Sequence, residues 1–524
     1  MTKFRVILSP SVAMVAIIMM AIVGKDLVAN DFSATSNNQS RPVGNLPKKN
    51  ITNTPLWLKI DHAPLIHPKD AKEGMAANHP FNKALASAYN SNPQLKSSLR
   101  QYYAIAENLS QAMSRWRPSV GGQLTAGYSV NEKQNRGGSL TPPGTSSTNP
   151  KTATLNVTQN LYEGGKTVAG ISGAENQVRS ARADFLNTEQ TILLNAVKAY
   201  LDVWFQREKL KTIKTSEQFY KENLEQTKAQ AEVGESSTIT DVAQAQFKYE
   251  TAIASRIATE TDLENAYATY IRVIGEEAPA VLPFPVPLHE IMELPKSLPD
   301  LLEAVKKYNP GIIKSEYDYA AAKDNVDVAF AALLPSVDLV GSADRTLSNT
   351  SRGVRQNDAS VTLRLTVPIY NNGGADWSSV SQGEQTAAQK KYDVKTSLES
   401  AIQNAKQTWK NVLSNKDQIR RYEAAVKSGG IHIEGTRQEY IVGERSLLEV
   451  LQAEADLVDA QVNLLKERHD YILNGYALMT TIGELTPETL QLAVDSYDLN
   501  TYPEAVRNRW IGWSKAPSDT RGKQ

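Results

Sequence analysis

The chain has 524 residues, 57 basic and 57 acidic side chains, and no cysteine. The even charge gives no electrostatic case for a nucleic-acid partner. The missing cysteine excludes disulfides, thiolate metal sites, a cysteine nucleophile and a lipid-bearing N-terminal cysteine.

At the N-terminus, Lys3 and Arg5 precede an apolar run over 6–23, and small residues follow. This is the layout of a secretory signal, assigned to residues 1–30, with an uncleaved anchor as the alternative. No other stretch approaches about 18 continuous apolar residues, so a mature chain lodged in a membrane needs β-strands rather than apolar helices. Residues 31–80 are polar, lack a period, and read as an extended or disordered lead-in.

A first unit, 81–275, opens on a helix over 81–117 that breaks at Asn92-Pro93, because the residue before proline avoids helical angles. Period two follows over 121–130, with Leu124, Ala126, Tyr128 and Val130 on one face. It returns over 152–161, with Ala153, Leu155, Val157 and Leu161 on one face. Residues 136–151 between them read as a loop from their Gly, Pro, Ser and Thr content. Ile171, Val178, Phe185, Ile192 and Ala199 then recur every seventh residue, a coiled-coil spacing. Residues 276–299 hold six prolines and form an extended crossover.

A second unit, 300–485, repeats the pattern. Val337, Leu339, Gly341 and Ala343 alternate with polar neighbours; a loop over 344–358 follows; then Val361, Leu363, Leu365, Val367 and Ile369 alternate in turn. Leu398, Ala405, Val412, Ile419, Val426, Ile433 and Tyr440 form a heptad stripe, and after a break at Gly443 so do Leu451, Val458, Leu465, Ile472 and Met479. Residues 486–524 read as a polar tail with an aromatic patch at Trp510 and Trp513.

The two units are copies. Asn92-Pro93 matches Asn309-Pro310, and Pro118-Ser119-Val120 matches Pro335-Ser336-Val337, both at an offset of 217. Val233-Gly234-Glu235 matches Val442-Gly443-Glu444, and Ile274-Gly275-Glu276 matches Ile482-Gly483-Glu484. A repeat this long is a duplicated module rather than a solenoid unit. Four strands cannot close a barrel, whose smallest kinds use about eight. An open sheet in lipid leaves edge groups unpaired. Either the hairpins lie outside a membrane, or several chains share one barrel, and the helical seams also need neighbours. Gly165-Lys166-Thr167 lacks the earlier glycine of a phosphate-binding loop, and the six histidines show no ligand spacing. Nothing makes a case for an enzyme.

The ordered, duplicated set resembles the TolC family of outer-membrane channel-tunnels over about residues 84–490. The resemblance rests on the NP and PSV frames, the YEGGK and PIYNNGG turns, the paired VGE turns, TITDVAQAQ, SLLEVLQAEADL and the closing IGE. It implies an internally duplicated α+β membrane protein. Each chain of a homotrimer gives four strands to a twelve-stranded barrel, which a long coiled-coil tunnel continues through the periplasm of a Gram-negative bacterium. Segments 136–151 and 344–358 become extracellular loops, and 276–299 joins an equatorial belt. Gly164, Gly165, Gly373 and Gly374 fall at strand-to-helix turns. The family has no catalytic activity and needs no cofactor. It implies an exit duct for type I protein secretion or drug efflux. A periplasmic adaptor and an inner-membrane transporter of ABC or RND type recruit it, and helix untwisting at the periplasmic end opens it.

The resemblance also assigns a gate: Tyr440 and Arg445 in the second unit, bonding Thr240 and Asp241 in the first. A guanidinium–carboxylate bond suits this role because its geometry selects one helix register. Where the family carries two acidic rings at the pore constriction, this chain has Glu449 and Gln452; the remaining ring favours cations, and the loss of the second weakens block by multivalent cations. Two other classes also use long coiled coils. A periplasmic adaptor carries a single helical hairpin, against the duplication here, and a secreted structural or adhesive protein would be soluble without detergent.

Overall fold

The computed structural model describes residues 79–133, 144–233, 238–285, 295, 297–347 and 354–512. The signal segment, nearly all of the 31–80 lead-in, Gly234, Glu235 and Trp513 lie outside the described residues.

Each unit has the same parts at nearly the same lengths. In the first, α1 (Pro80–Ser91) and α2 (Pro93–Ser114) lead into β1 (Ser119–Ala126), a small β2 (Ser129–Lys133) and β3 (Gly144–Thr148) hairpin, and β4 (Lys151–Glu163). Helices α3 (Lys166–Val233) and α4 (Ile239–Ile274) follow. In the second, α5 (Leu298–Tyr308) and α6 (Pro310–Phe330) lead into β5 (Ser336–Leu347) and β6 (Arg355–Thr366), followed by α7 (Ala375–Ile441) and α8 (Leu447–Ile482). A last helix, α9 (Thr501–Asn508), lies in the C-terminal segment. Helices α3 and α7 have 68 and 67 residues, and α4 and α8 have 36 each. At 1.5 Å per residue the long pair spans about 100 Å.

The same local chemistry sets the joints in both units. Asn92 ends α1 and caps α2, its Oδ1 accepting from the N–H of Gln94 at 2.8 Å, while Pro93 takes the first helical position, where no N–H is needed. Asn309 does the same for α6, accepting from Gly311 at 3.0 Å and Ile312 at 3.2 Å. Helices α4 and α8 both end on a left-handed glycine, Gly275 at φ 87° and Gly483 at φ 91°. The short helices stack end to end beside the long ones: Ser91 Oγ donates to Ile274 O at 3.0 Å, and Asn309 Nδ2 donates to Thr481 O at 2.9 Å.

The main core lies at this level. It joins Phe81, Leu85, Tyr89, Leu95 and Tyr102 of α1 and α2 to Phe185, Ile192, Val197 and Tyr200 of α3, with Tyr270 of α4 and Tyr476 of α8. The proline crossover packs onto it: Tyr200 Oη donates to Pro283 O at 2.9 Å, and Phe284 stacks on Trp204 at 4.6 Å. The heptad stripe Leu398 to Tyr440 is buried or half-buried along α7. Most polar residues beside it face outward, but Asn415 and Thr436 are buried.

Several expectations need correction. The segment 136–151 is not all loop, because Gly144–Thr148 pairs with β2; its threonines are β-branched and suit a strand, which composition alone does not reveal. The C-terminal segment is not merely a polar tail. Leu490, Leu492, Leu499, Tyr502 and Val506 are buried against the core. The predicted final strand also stops at Thr366, short of Ile369, because Pro368 has no N–H to give a ladder. The expected loop over 344–358 is shorter than predicted, because β5 runs on to Leu347 and β6 begins at Arg355.

Candidate functional site

The sheet order is β1-β4-β5-β6, antiparallel throughout. Its register aligns side chains by face. Val120 lies opposite Val157, Leu155 opposite Ala343, Leu339 opposite Leu363, and Val337 opposite Leu365, all in one apolar face. The other face carries Thr154, Asn156, Asn160, Asp338, Ser342, Asp344, Asp358, Ser360 and Arg364, with Asp338 opposite Arg364. A bulge at Leu161 resets the phase and turns Tyr162 onto the apolar side, opposite Val337. Strands β4, β5 and β6 have 12 or 13 residues, enough to cross a bilayer when tilted. Both outer strands, β1 and β6, are exposed along their whole length.

The strand-to-helix turns depend on backbone freedom. Gly164 and Gly165 have φ of 62° and 90°, and Gly373 and Gly374 have 63° and 86°. At Gly164 a Cβ would meet Leu334 Cβ at 2.6 Å and Ala331 O at 2.9 Å, so the first turn is also packed tight against the second unit.

At the far end of the helices, Tyr220 and Leu224 of α3, Ala245 and Ala252 of α4, and Leu447 and Leu451 of α8 form a separate core, with Val242 and Tyr440 packed against it. This brings the four helix ends together. Tyr440, on the last turn of α7, donates to Gln230 of α3 over a long 3.5 Å. Arg445 lies in the α7–α8 turn and pairs within its own chain with Glu439 at 3.0 Å and Glu449 at 3.5 Å. Asp241 closes a capping box: its carboxylate accepts from the Thr238 N–H at 2.8 Å and the Thr238 hydroxyl at 2.7 Å. Those two bonds hold its pKa below the usual carboxylate range. Thr240 is exposed on the first turn of α4. Glu449 and Gln452 stand on the first turns of α8, Gln452 donating to Asp456 at 2.9 Å. One chain therefore gathers the predicted gate residues at one mouth but satisfies Arg445 and Asp241 locally.

Three polar links between helices are absent from the sequence reading. His469 of α8 bonds Asp202 of α3 at 3.0 Å through Nε2 and Asp470 at 2.8 Å through Nδ1. Asn415 of α7 donates to Glu467 of α8 at 2.6 Å. Glu189 of α3 accepts from the Tyr89 hydroxyl of α1 at 2.7 Å. Each was detectable: His469 is four residues after Leu465, Asn415 three after Val412, and Glu189 four after Phe185. A polar residue on an apolar stripe marks a buried partner.

Among the described residues no helix is long and apolar enough to cross a membrane. A two-faced sheet and tunnel-length paired helices define a channel-tunnel of the outer membrane. Residues 84–276 and 301–484 match the model of the outer membrane efflux protein family, one segment per unit, and the chain belongs to that family. The outer membrane efflux protein BepC of Brucella suis is 30% identical over 439 residues, 83% of this chain and 92% of its own length. The outer membrane protein TolC of Vibrio cholerae is 29% identical, covering 77% of this chain and 91% of its own. The solved CmeC outer membrane channel of Campylobacter jejuni shares the fold with a TM-score of 0.70 at 17% identity, over 89% of this chain and 98% of that one. The chain is thus a TolC-family outer-membrane protein with its helical part in the periplasm, and its relatives are channels rather than enzymes.

Proposed function

We propose that three copies of this chain form an exit duct with a twelve-stranded barrel and a periplasmic tunnel. The observation that carries the reading is the pair of bare sheet edges. On β6, 12 residues long, about six N–H and six C=O groups point away from β5. In lipid each unpaired group costs several kcal/mol, so one chain alone is excluded by tens of kcal/mol. Pairing β6 of one chain with β1 of the next removes both edges.

In this reading the mouth is closed by exchange of partners. Arg445 leaves Glu439 and Glu449, and Asp241 turns from Thr238, so that Tyr440 and Arg445 bond Thr240 and Asp241 between helix pairs. Glu449, freed from Arg445, gives the narrow end its preference for cations. Ile239, Ile441 and Val442 are exposed at the helix tips. They supply an apolar landing surface for a periplasmic adaptor, which brings the inner-membrane transporter and untwists the helices. The polar inner face fits no single cargo. The name of the BepC relative supports efflux, with type I protein secretion as the second cargo class.

Single-channel conductance of the full-length protein in planar bilayers tests this. The wild type should give a small, cation-preferring conductance, rising several-fold in a Tyr440→Phe/Arg445→Ser variant. An unchanged conductance would remove the gate assignment; a folded protein that forms no channel would remove the duct.

A further inference from the structure

The C-terminal segment climbs α2 toward the barrel. Tyr102 Oη donates to Leu499 O at 2.6 Å. Higher up, Tyr502 stacks on Tyr103 at 4.3 Å and donates to Glu107 at 2.7 Å, and Arg509 also bonds Glu107. At the top, Arg117 donates to the carbonyls of Arg507 and Arg509, and its guanidinium lies 5.3 Å from the Trp510 ring centre. Arg117 is two residues before β1. Val120, the first apolar-face residue of β1, is therefore only about 10 Å further along the chain.

The segment changes character at that level. Up to Val506 its large apolar side chains are buried or half-buried, but Trp510 is 60% exposed and Ile511 92%. Trp116 beside Arg117 is half exposed as well, and Tyr162, Tyr370 and Trp377 are exposed at the same end of the sheet. Arg117 binds only carbonyls and a ring face; no carboxylate among the described residues pairs with it. An exposed indole, an exposed isoleucine and an unneutralised cation thus continue the apolar face of the barrel at its periplasmic rim. Tryptophan is enriched at that depth because its ring is apolar and its N–H polar. A cation there is drawn to lipid phosphate.

We propose that the strap over residues 498–511 is a membrane anchor. It seats Trp510 and Ile511 in the headgroup zone of the periplasmic leaflet, with Arg117 against phospholipid phosphate. In a chain with no cysteine to carry lipid, this contact ties the helical belt to the bilayer through the C-terminus. The occupant is phospholipid rather than a second copy because the patch continues the lipid-facing row of β1.

The absence of cysteine makes the test direct. Ile511→Cys, Leu363→Cys and Ser496→Cys are each labelled with an environment-sensitive fluorophore in the full-length protein, reconstituted into phosphatidylethanolamine/phosphatidylglycerol vesicles. Spin-labelled lipids serve as shallow or deep quenchers. Position 363 reports the barrel face, and 496 an exposed position just before the strap. The probe at 511 should be blue-shifted from that at 496 and quenched more by the shallow label than by the deep one. Adding Trp510→Ser should reduce that quenching at least twofold. An unquenched, water-like probe at 511 overturns the anchor. So does a blue-shifted probe that no lipid quenches, which would place a second copy over the patch. Loss of quenching at 363 as well would overturn the barrel's insertion, and the anchor with it.

Discussion

His469 makes the most quantitative link between the two units. Both ring nitrogens face carboxylates, Asp202 at 3.0 Å and Asp470 at 2.8 Å, so both carry protons and the ring is an imidazolium. Burial opposes the charge, but the bonds to Asp202 and Asp470 outweigh it and hold the pKa above 6.5. Asp202 is half-buried, which opposes its charge, yet His469 and Lys198 together hold it below 3.8. Replacing His469 by Gln keeps one hydrogen bond and removes the charge. Asp202 retains Lys198 at 2.7 Å, so the loss is smaller than for an orphaned buried ion, about 1–3 kcal/mol. The sign follows from the shifts. A raised histidine pKa contributes its full stability below about 6.5, and that contribution is lost as pH rises through the folded value. The depressed Asp202 contributes above about 3.9 and loses its contribution in acid. Hydrogen exchange of the α8 peptide around residue 469, corrected for intrinsic rates, reads the local opening energy. The gap between wild type and His469→Gln should be widest near pH 6 and narrow as pH rises above the folded pKa. A gap that stays constant from about pH 6 to 9 would falsify the imidazolium assignment.

Two glycines at equivalent angles should respond differently to alanine. Gly443, at φ 82°, has no atom within 4 Å of a Cβ, so Gly443→Ala costs only the left-handed backbone term, about 1–2 kcal/mol. At Gly483, φ 91°, a Cβ would stand 2.5 Å from Tyr308 O and 3.0 Å from Pro310 Cδ, so Gly483→Ala should lower the thermal midpoint far more or prevent folding. Equal midpoints would contradict the packed joint. Burial, with a further push from Glu488, raises the Glu189 pKa to about 8 against the Tyr89 bond. An acid raised in the folded state costs stability as pH climbs from about 4.5 to about 8. Glu189→Gln, which still accepts from Tyr89, should therefore gain on the wild type over that range in thermal melts, and a parallel pH profile would argue for an ionised carboxylate.

The sequence reveals what repeats or has a period. The Asn-Pro frames predict where α1 gives way to α2 and α5 to α6, because the caps are local. Heptads predict α7 and α8, and period two predicts the four sheet strands, although the first expected run, 121–130, breaks after Ala126 and its Val130 falls in β2 of the separate hairpin. The C-terminal segment has no such signal: Leu490, Leu492, Leu499, Tyr502 and Val506 are irregularly spaced because they fit the surface of α2 and α3 rather than a regular element of their own. Composition hides β3, whose partner β2 lies across the hairpin tip. The proposed gate residues are legible as a motif. Their bonding is not, since Arg445 and Asp241 each have a local partner in one chain, and the choice depends on neighbouring helices.

Duplication gave both units the same joints and lengths, but not the same burial. Helix α3 buries Val178, Phe185, Ile192, Leu193, Val197 and Tyr200 within its own chain. Helix α7, one residue shorter, buries only Ala387, Ala401, Ala405, Asn415 and Thr436. Elements with few buried apolar contacts open at lower cost. In the trimer proposed above, α7 must take much of its cover from the next chain, whereas α8 packs Ile472, Tyr476 and Met479 into the main core and Leu447 and Leu451 against α3 and α4. In that proposal α7, not the whole second pair, is the helix a docking partner displaces at least cost. Tyr440 and Arg445 stand at its tip, while Thr240 and Asp241 belong to the pair fixed by α1, α2 and the strap. In the proposed gate, the weakly held α7 rests against the firmly held α3 and α4. On that proposal the difference in buried contacts between α3 and α7, more than the latch itself, selects the helix that moves.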